Sequence, residues 1–122
     1  MRAVAIHEAG GAITVQDREV RAAGPGEVRL RVSAATVNPV DTLMWRTFAP
    51  TQSQSSLTPG MDAAGIVESV GPDVDRLAVG DPVMAVLNAR LPDGGAQAEL
   101  VIVPAASVVR VPDGFDAAAA ST

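Results

Sequence analysis

The stretch Pro59-Gly60-Met61-Asp62-Ala63-Ala64-Gly65-Ile66-Val67-Glu68-Ser69-Val70-Gly71 decides the fold. It is a short apolar run, Ala63 to Val70, punctuated by Gly60, Gly65 and Gly71 and carrying acids at Asp62 and Glu68. An apolar run of this length bounded by turn residues reads as a β-strand. Gly60 and Gly65 are explained first as backbone requirements, tight turns or close strand approach, ahead of any direct ligand contact.

Runs of the same kind lie on both sides of it: Ala3 to Ile6, Ala12 to Val15, Val28 to Val37, Pro82 to Leu87, Ala98 to Val103 and Val108 to Val111. Seven strands with Gly/Pro punctuation predict a mainly β domain, a barrel or sandwich. In Val28 to Val32 the alternation is clean. Val28, Leu30 and Val32 face one way, and Arg29 and Arg31 face the other as a wet side. Ala9-Gly10-Gly11 suits a hairpin, Gly24-Pro25-Gly26 a reversal, and Pro92-Asp93-Gly94-Gly95 a turn into the next strand.

Asn38-Pro39-Val40-Asp41 is the one strong helix start. Asn38 is a cap, Pro39 has the preset φ of a first helical residue, and Asp41 is placed to bond back to the cap. A short helix to about Phe48 follows. Ala49 to Thr58 is polar and aperiodic, a surface loop and, in an enzyme, a candidate lid. Pro112 to Asp116 turns into a second short helix, Ala117 to Ala120, which ends without a second apolar turn and suggests a chain cut inside an element.

Composition removes several function classes. With no cysteine and only His7, the 122-residue chain has neither a disulfide framework nor the ligands of a tetrahedral zinc site. The net charge is -5 and every base is an arginine, with no basic stripe, so nucleic acid is not expected as a partner. No charged-then-apolar leader and no apolar run near about 18 residues occurs, and a soluble cytoplasmic protein away from membranes is expected. No G-x-G-x-x-G or G-x-x-x-x-G-K-[ST] string occurs either, so no phosphate cradle is visible.

Taken in order, Gly24-Pro25-Gly26-Glu27-Val28, Asn38-Pro39-Val40-Asp41, Pro59 to Val67, Val79-Gly80-Asp81-Pro82-Val83, Gly94-Gly95-Ala96-Gln97-Ala98-Glu99 and Pro112 before an Ala-rich helix resemble the medium-chain dehydrogenase/reductase superfamily. The match is to the N-terminal GroES-like domain of its zinc-free quinone oxidoreductase branch, and it runs along essentially all of residues 1–122. Zinc-binding members of that superfamily carry Gly-His-Glu where this chain has Gly60-Met61-Asp62, and a catalytic cysteine where it has Asn38. The short Asn88 to Gly95 connection has no counterpart of their structural-zinc lobe.

The resemblance implies a GroES-like partly open β-barrel with one or two short helices. It also implies a following Rossmann domain, absent from this chain, that binds NADPH, and hydride transfer to a small quinone or enone in the cleft between the two. The chain alone is then catalytically silent and monomeric, the intact protein a homo-oligomer. The resemblance puts Asn38 and Asp41 beside the cofactor and Trp45 and Asp62 beside the substrate, with no metal ligand and no catalytic side chain.

Each residue also has a purely structural reading. Asn38 and Asp41 serve as helix caps, Asp62 as a solvated or backbone-bonded acid, Trp45 as a core aromatic and His7 as a surface histidine without triad partners. Leu43 lies where relatives often place a tyrosine, which removes a polar contact from the substrate side. A different class of function fits the same fold, a stand-alone β-barrel binding or interaction module; a co-chaperonin ring is a third. A severed enzyme domain predicts an exposed apolar patch near Asn38, Trp45 and the Ala117 to Thr122 end.

Overall fold

The computed structural model describes residues 1–122. Seven strands and two helices follow in the order β1 (Arg2–Ala5), β2 (Thr14–Asp17), β3 (Glu27–Ala35), α1 (Pro39–Thr47), β4 (Asp62–Val70), β5 (Pro82–Val86), β6 (Leu100–Pro104), β7 (Val108–Arg110) and α2 (Ala117–Ala120). A single 3-10 turn, Ala105–Ser107, joins β6 to β7. The seven expected strands and both helices are therefore present, with no boundary shifted by more than two residues.

Five strands form one antiparallel sheet in the order β6-β3-β4-β5-β7, and β1 and β2 form a separate two-stranded sheet. The sheet curls without closing, since β6 and β7 are its two edges and share no ladder. Bridges Ala3↔Ala98 and Ile6↔Leu57 tie β1 and the residue after it to the segments that precede β6 and β4. The fold is thus the partly open, mainly β domain expected from the sequence.

Inside the curl, Val28 and Leu30 of β3, Val67 of β4, Val83 of β5, Val103 of β6 and Val108 of β7 are fully buried. Each such side chain contributes about 1.5–3 kcal/mol of burial, which is why the alternating pattern fixes the register. Gly65 sits opposite Val32 beside a register shift in β3. A Cβ there would lie 2.0 Å from the Arg31 carbonyl oxygen, so the strands approach only because the side chain is missing.

Two expectations change. The outward face of β3 is not simply wet, because Arg29 Nε and Arg31 Nη2 both reach Glu68 on β4, at 3.1 and 3.5 Å, and Arg29 is partly buried. The polar segment Ala49 to Thr58 is a surface loop only in its first part. Leu57 is buried and pairs with Ile6, and Thr58 Oγ1 donates to the Val4 carbonyl at 2.8 Å. Gln54 Nε2 further ties the loop to the Ala89 carbonyl at 2.8 Å. No helix is long and apolar enough to cross a membrane.

Candidate functional site

Asp41 organises the start of α1. The carboxylate is buried, and its two oxygens accept from different backbone N–H groups: Oδ2 from Asn38 at 2.7 Å and Oδ1 from Gly60 at 2.9 Å. The first is the return bond expected of a capping box; the second joins the helix to the turn that opens β4. Two N–H groups on one carboxylate satisfy it where water is excluded.

With the backbone so fixed, the Asn38 side chain turns toward β4 and donates from Nδ2 to Asp62 Oδ2 at 2.7 Å. Asp62, half-buried, thus accepts from a side chain. A carboxylate only accepts, so it sets which end of the amide faces it. Nδ2 keeps a second N–H for another acceptor. The pair is flanked by exposed apolar side chains, Val37 at 69% exposure just before the helix and Val86 at 61%, directly across the ladder from Asp62.

Trp45 is half-buried. It packs against the small cluster of Ile6, Met44, Leu57 and Ala89, and its Nε1 donates to the Gly11 carbonyl at 2.8 Å. Met44 and Met61, its neighbours there, line a groove of about 660 Å³ whose apolar wall also includes Val40, Val86, Leu87 and Leu91. Trp45 therefore backs that wall without forming its surface. A smaller hollow of about 430 Å³ continues past Asp62 and Val86 to the end of α2. There the Thr36 hydroxyl donates to the carbonyl of Ser121, which is buried. His7 is exposed.

The groove's floor carries a cluster that sequence reading missed. Arg21 forks onto Glu27, Nη1 to Oε1 at 2.6 Å and Nη2 to Oε2 at 2.9 Å, and onto Asp93, Nε to Oδ1 at 3.2 Å and Nη2 to Oδ2 at 2.8 Å. Arg18 adds a bond from Nη1 to Thr58 Oγ1 at 3.1 Å and one from Nη2 to the Pro92 carbonyl at 3.4 Å. Together they hold the loop between β5 and β6. The Arg21 hydrogen bonds, helped by the Gly24 N–H, pull the Glu27 carboxyl down to about 2, and the same bonds raise Arg21. At the far end of the chain, the Arg2 N–H and guanidinium lower Glu99. No three His, Cys, Asp or Glu side chains gather into a group that could hold a metal ion.

Residues 24–113 match the family model of the alcohol dehydrogenase GroES-like domain. A Caenorhabditis elegans protein, the mitochondrial reticulon-4-interacting protein 1, is 42% identical over 92 residues, which cover 64% of this chain and 25% of that protein. A 2-haloacrylate reductase of Burkholderia is 35% identical over 119 residues, covering 93% of this chain and 34% of the reductase. Among solved structures, a quinone oxidoreductase of Pseudomonas syringae superposes with a TM-score of 0.85 at 30% identity, over 98% of this chain and 36% of that one. A mycobacterial protein solved with NADPH superposes at 0.78 and 28% identity, over 96% and 35%. The chain spans about a quarter to a third of the length of the relatives it matches. It belongs to the alcohol dehydrogenase GroES-like domain family of the medium-chain dehydrogenase/reductase superfamily.

Proposed function

We propose that this domain forms the substrate side of an NADPH-dependent, zinc-independent oxidoreductase that reduces a quinone or an enone, working against a nucleotide-binding Rossmann domain outside residues 1–122. The observation that carries the reading is the Asn38 amide, locked by Asp62 beside an apolar groove with one N–H left to give. Kinship with a quinone oxidoreductase and a 2-haloacrylate reductase supports carbonyl-activated acceptors as the substrate class.

Residues 1–122 fit the nicotinamide end of such a cofactor and not its phosphates. Asn38 offers an amide N–H suited to a carboxamide or acceptor carbonyl oxygen, but no glycine loop between a strand and a helix cradles a diphosphate. When bound, the nicotinamide supplies the hydride. The domain's own part is positional. Asp41 holds the Asn38 backbone, Asp62 aims the Asn38 amide, Met44 and Met61, backed by Trp45, present an apolar wall to a flat ring, and the wall excludes water from the reacting atoms. The exposed Val37, Val86 and Val109 around this site match the apolar patch a partner domain would cover.

The test is NADPH oxidation, followed by loss of nicotinamide absorbance, with 1,4-naphthoquinone or an enone as acceptor. The protein carrying this domain and its nucleotide-binding domain oxidises NADPH only when acceptor is added, and residues 1–122 alone do not. Acceptor-dependent oxidation by residues 1–122, or none by the two-domain protein with any such acceptor, rejects the reading. A binding role without catalysis would be indicated in the second case.

A further inference from the structure

The groove carries three charged side chains: Glu27, Asp93 and Arg90. The two acids are occupied. Both are held by the single guanidinium of Arg21, which reduces them to one residual negative charge spread over four bonded oxygens. Arg90 is different. It is exposed at the groove, its own N–H is fixed by Asn88 Oδ1 at 3.0 Å, and its guanidinium makes none of the six ion pairs of the chain and no hydrogen bond. Arg90 is thus the one charge of the groove without an ionic partner, and it stands on the β5–β6 loop that Arg18 and Arg21 grip at Pro92 and Asp93.

We propose that the groove selects an apolar ring acceptor bearing an anionic substituent, a carboxylate or sulfonate, whose anion is gripped by the Arg90 guanidinium while the ring lies on Met44, Met61 and Leu91. This names a substrate class for the groove and rests on the functional reading above for the acceptor being reduced. A planar fork of N–H donors matches a carboxylate or sulfonate in two-point contact, and an apolar wall beside the pair lowers the local dielectric that would otherwise weaken it. Because Glu27 and Asp93 are already bonded, they do not compete for Arg90 as free carboxylates would.

Binding to the 122-residue chain tests this without any hydride chemistry. The probes are 1,4-naphthoquinone and 1,4-naphthoquinone-2-sulfonate, read by equilibrium dialysis and by quenching of Trp45, the sole tryptophan, which packs behind the groove wall. The chain has no cysteine for the quinones to alkylate. The sulfonate binds about fivefold more tightly than the neutral quinone at low salt, the upper range of a solvent-facing ion pair, and the preference shrinks in 1 M salt. Arg90→Gln abolishes the preference and Arg90→Glu reverses it. Equal binding of the two probes to the native chain, or a preference kept in either variant, overturns the proposal. A preference found here alongside an inactive two-domain protein would reject the oxidoreductase reading and leave the anion site standing.

Discussion

Asp41 on α1 and Gly60 at the mouth of β4 are joined by a 2.9 Å hydrogen bond between a buried carboxylate oxygen and a buried backbone N–H. With the second oxygen on the Asn38 N–H, this one side chain sets the distance between the two segments that present Asn38 and Asp62. Replacing it by alanine leaves the Gly60 N–H buried and unpaired. Asp41→Ala is expected to lower stability by about 3 kcal/mol, the cost of two lost bonds to a charged acceptor, as measured by urea denaturation. A loss below about 1 kcal/mol would mean that water replaces the carboxylate.

Gly65 and Gly10 separate two uses of glycine. At Gly65 a Cβ would meet the Arg31 carbonyl oxygen at 2.0 Å, while at Gly10, with φ of 65°, nothing lies within 4 Å. Gly65→Ala should therefore cost at least about 3 kcal/mol or prevent folding, whereas Gly10→Ala should cost about 1 kcal/mol of backbone strain alone. Equal losses in the two denaturation curves would contradict the strand approach at Gly65.

The Arg21 fork gives the domain an acid-sensitive term. Glu27 is held at about 2 in the folded chain against a usual 4.5, so below pH 4.5 the unfolded chain takes up the proton first. The stability contributed by Glu27 is thus complete above pH 4.5 and is lost as pH falls toward 2. Glu99, lowered by Arg2, adds to the same slope. Thermal melts across this range should show a steep decline that Glu27→Gln makes shallower, with the largest difference between the two proteins at neutral pH.

The Asn38–Asp62 pair is expected to matter for turnover more than for folding. In the two-domain protein, Asn38→Ala should lower kcat/KM for NADPH-dependent reduction about tenfold, the worth of one hydrogen bond at a reacting centre, while its melting temperature changes little. Asp62→Asn should give a smaller loss, since a neutral partner still accepts from Nδ2 but no longer dictates which end of the amide it meets. Unchanged kinetics in both variants would reduce the pair to a structural link.

The strands and α1 were legible because their signals are local: β-branched runs, glycine punctuation and the Asn38-Pro39-Val40-Asp41 helix start all act within a few residues. Strand count and spacing left barrel and sandwich both open, and the partly open sheet was implied by the family resemblance. The bond from Asn38 to Asp62 spans 24 positions and that from Arg21 to Asp93 spans 72, and neither has a local pattern. Leu57 and Thr58 looked like the end of a polar loop, because their pairing with the first strand segment depends on where the small sheet docks. Asp62 likewise looked like a solvated acid, because only the position of α1 brings an amide to it. The family strings, by contrast, were readable in full, since their order and spacing are properties of the sequence alone.

The most direct test of the central claim is titration of NADPH, by nicotinamide fluorescence, into residues 1–122 and into the protein that also carries the nucleotide-binding domain. Saturable micromolar binding to the two-domain protein, with none to residues 1–122, is the predicted result. Micromolar binding to residues 1–122 alone would place the cofactor site within this barrel and contradict the division of labour on which the proposed function rests.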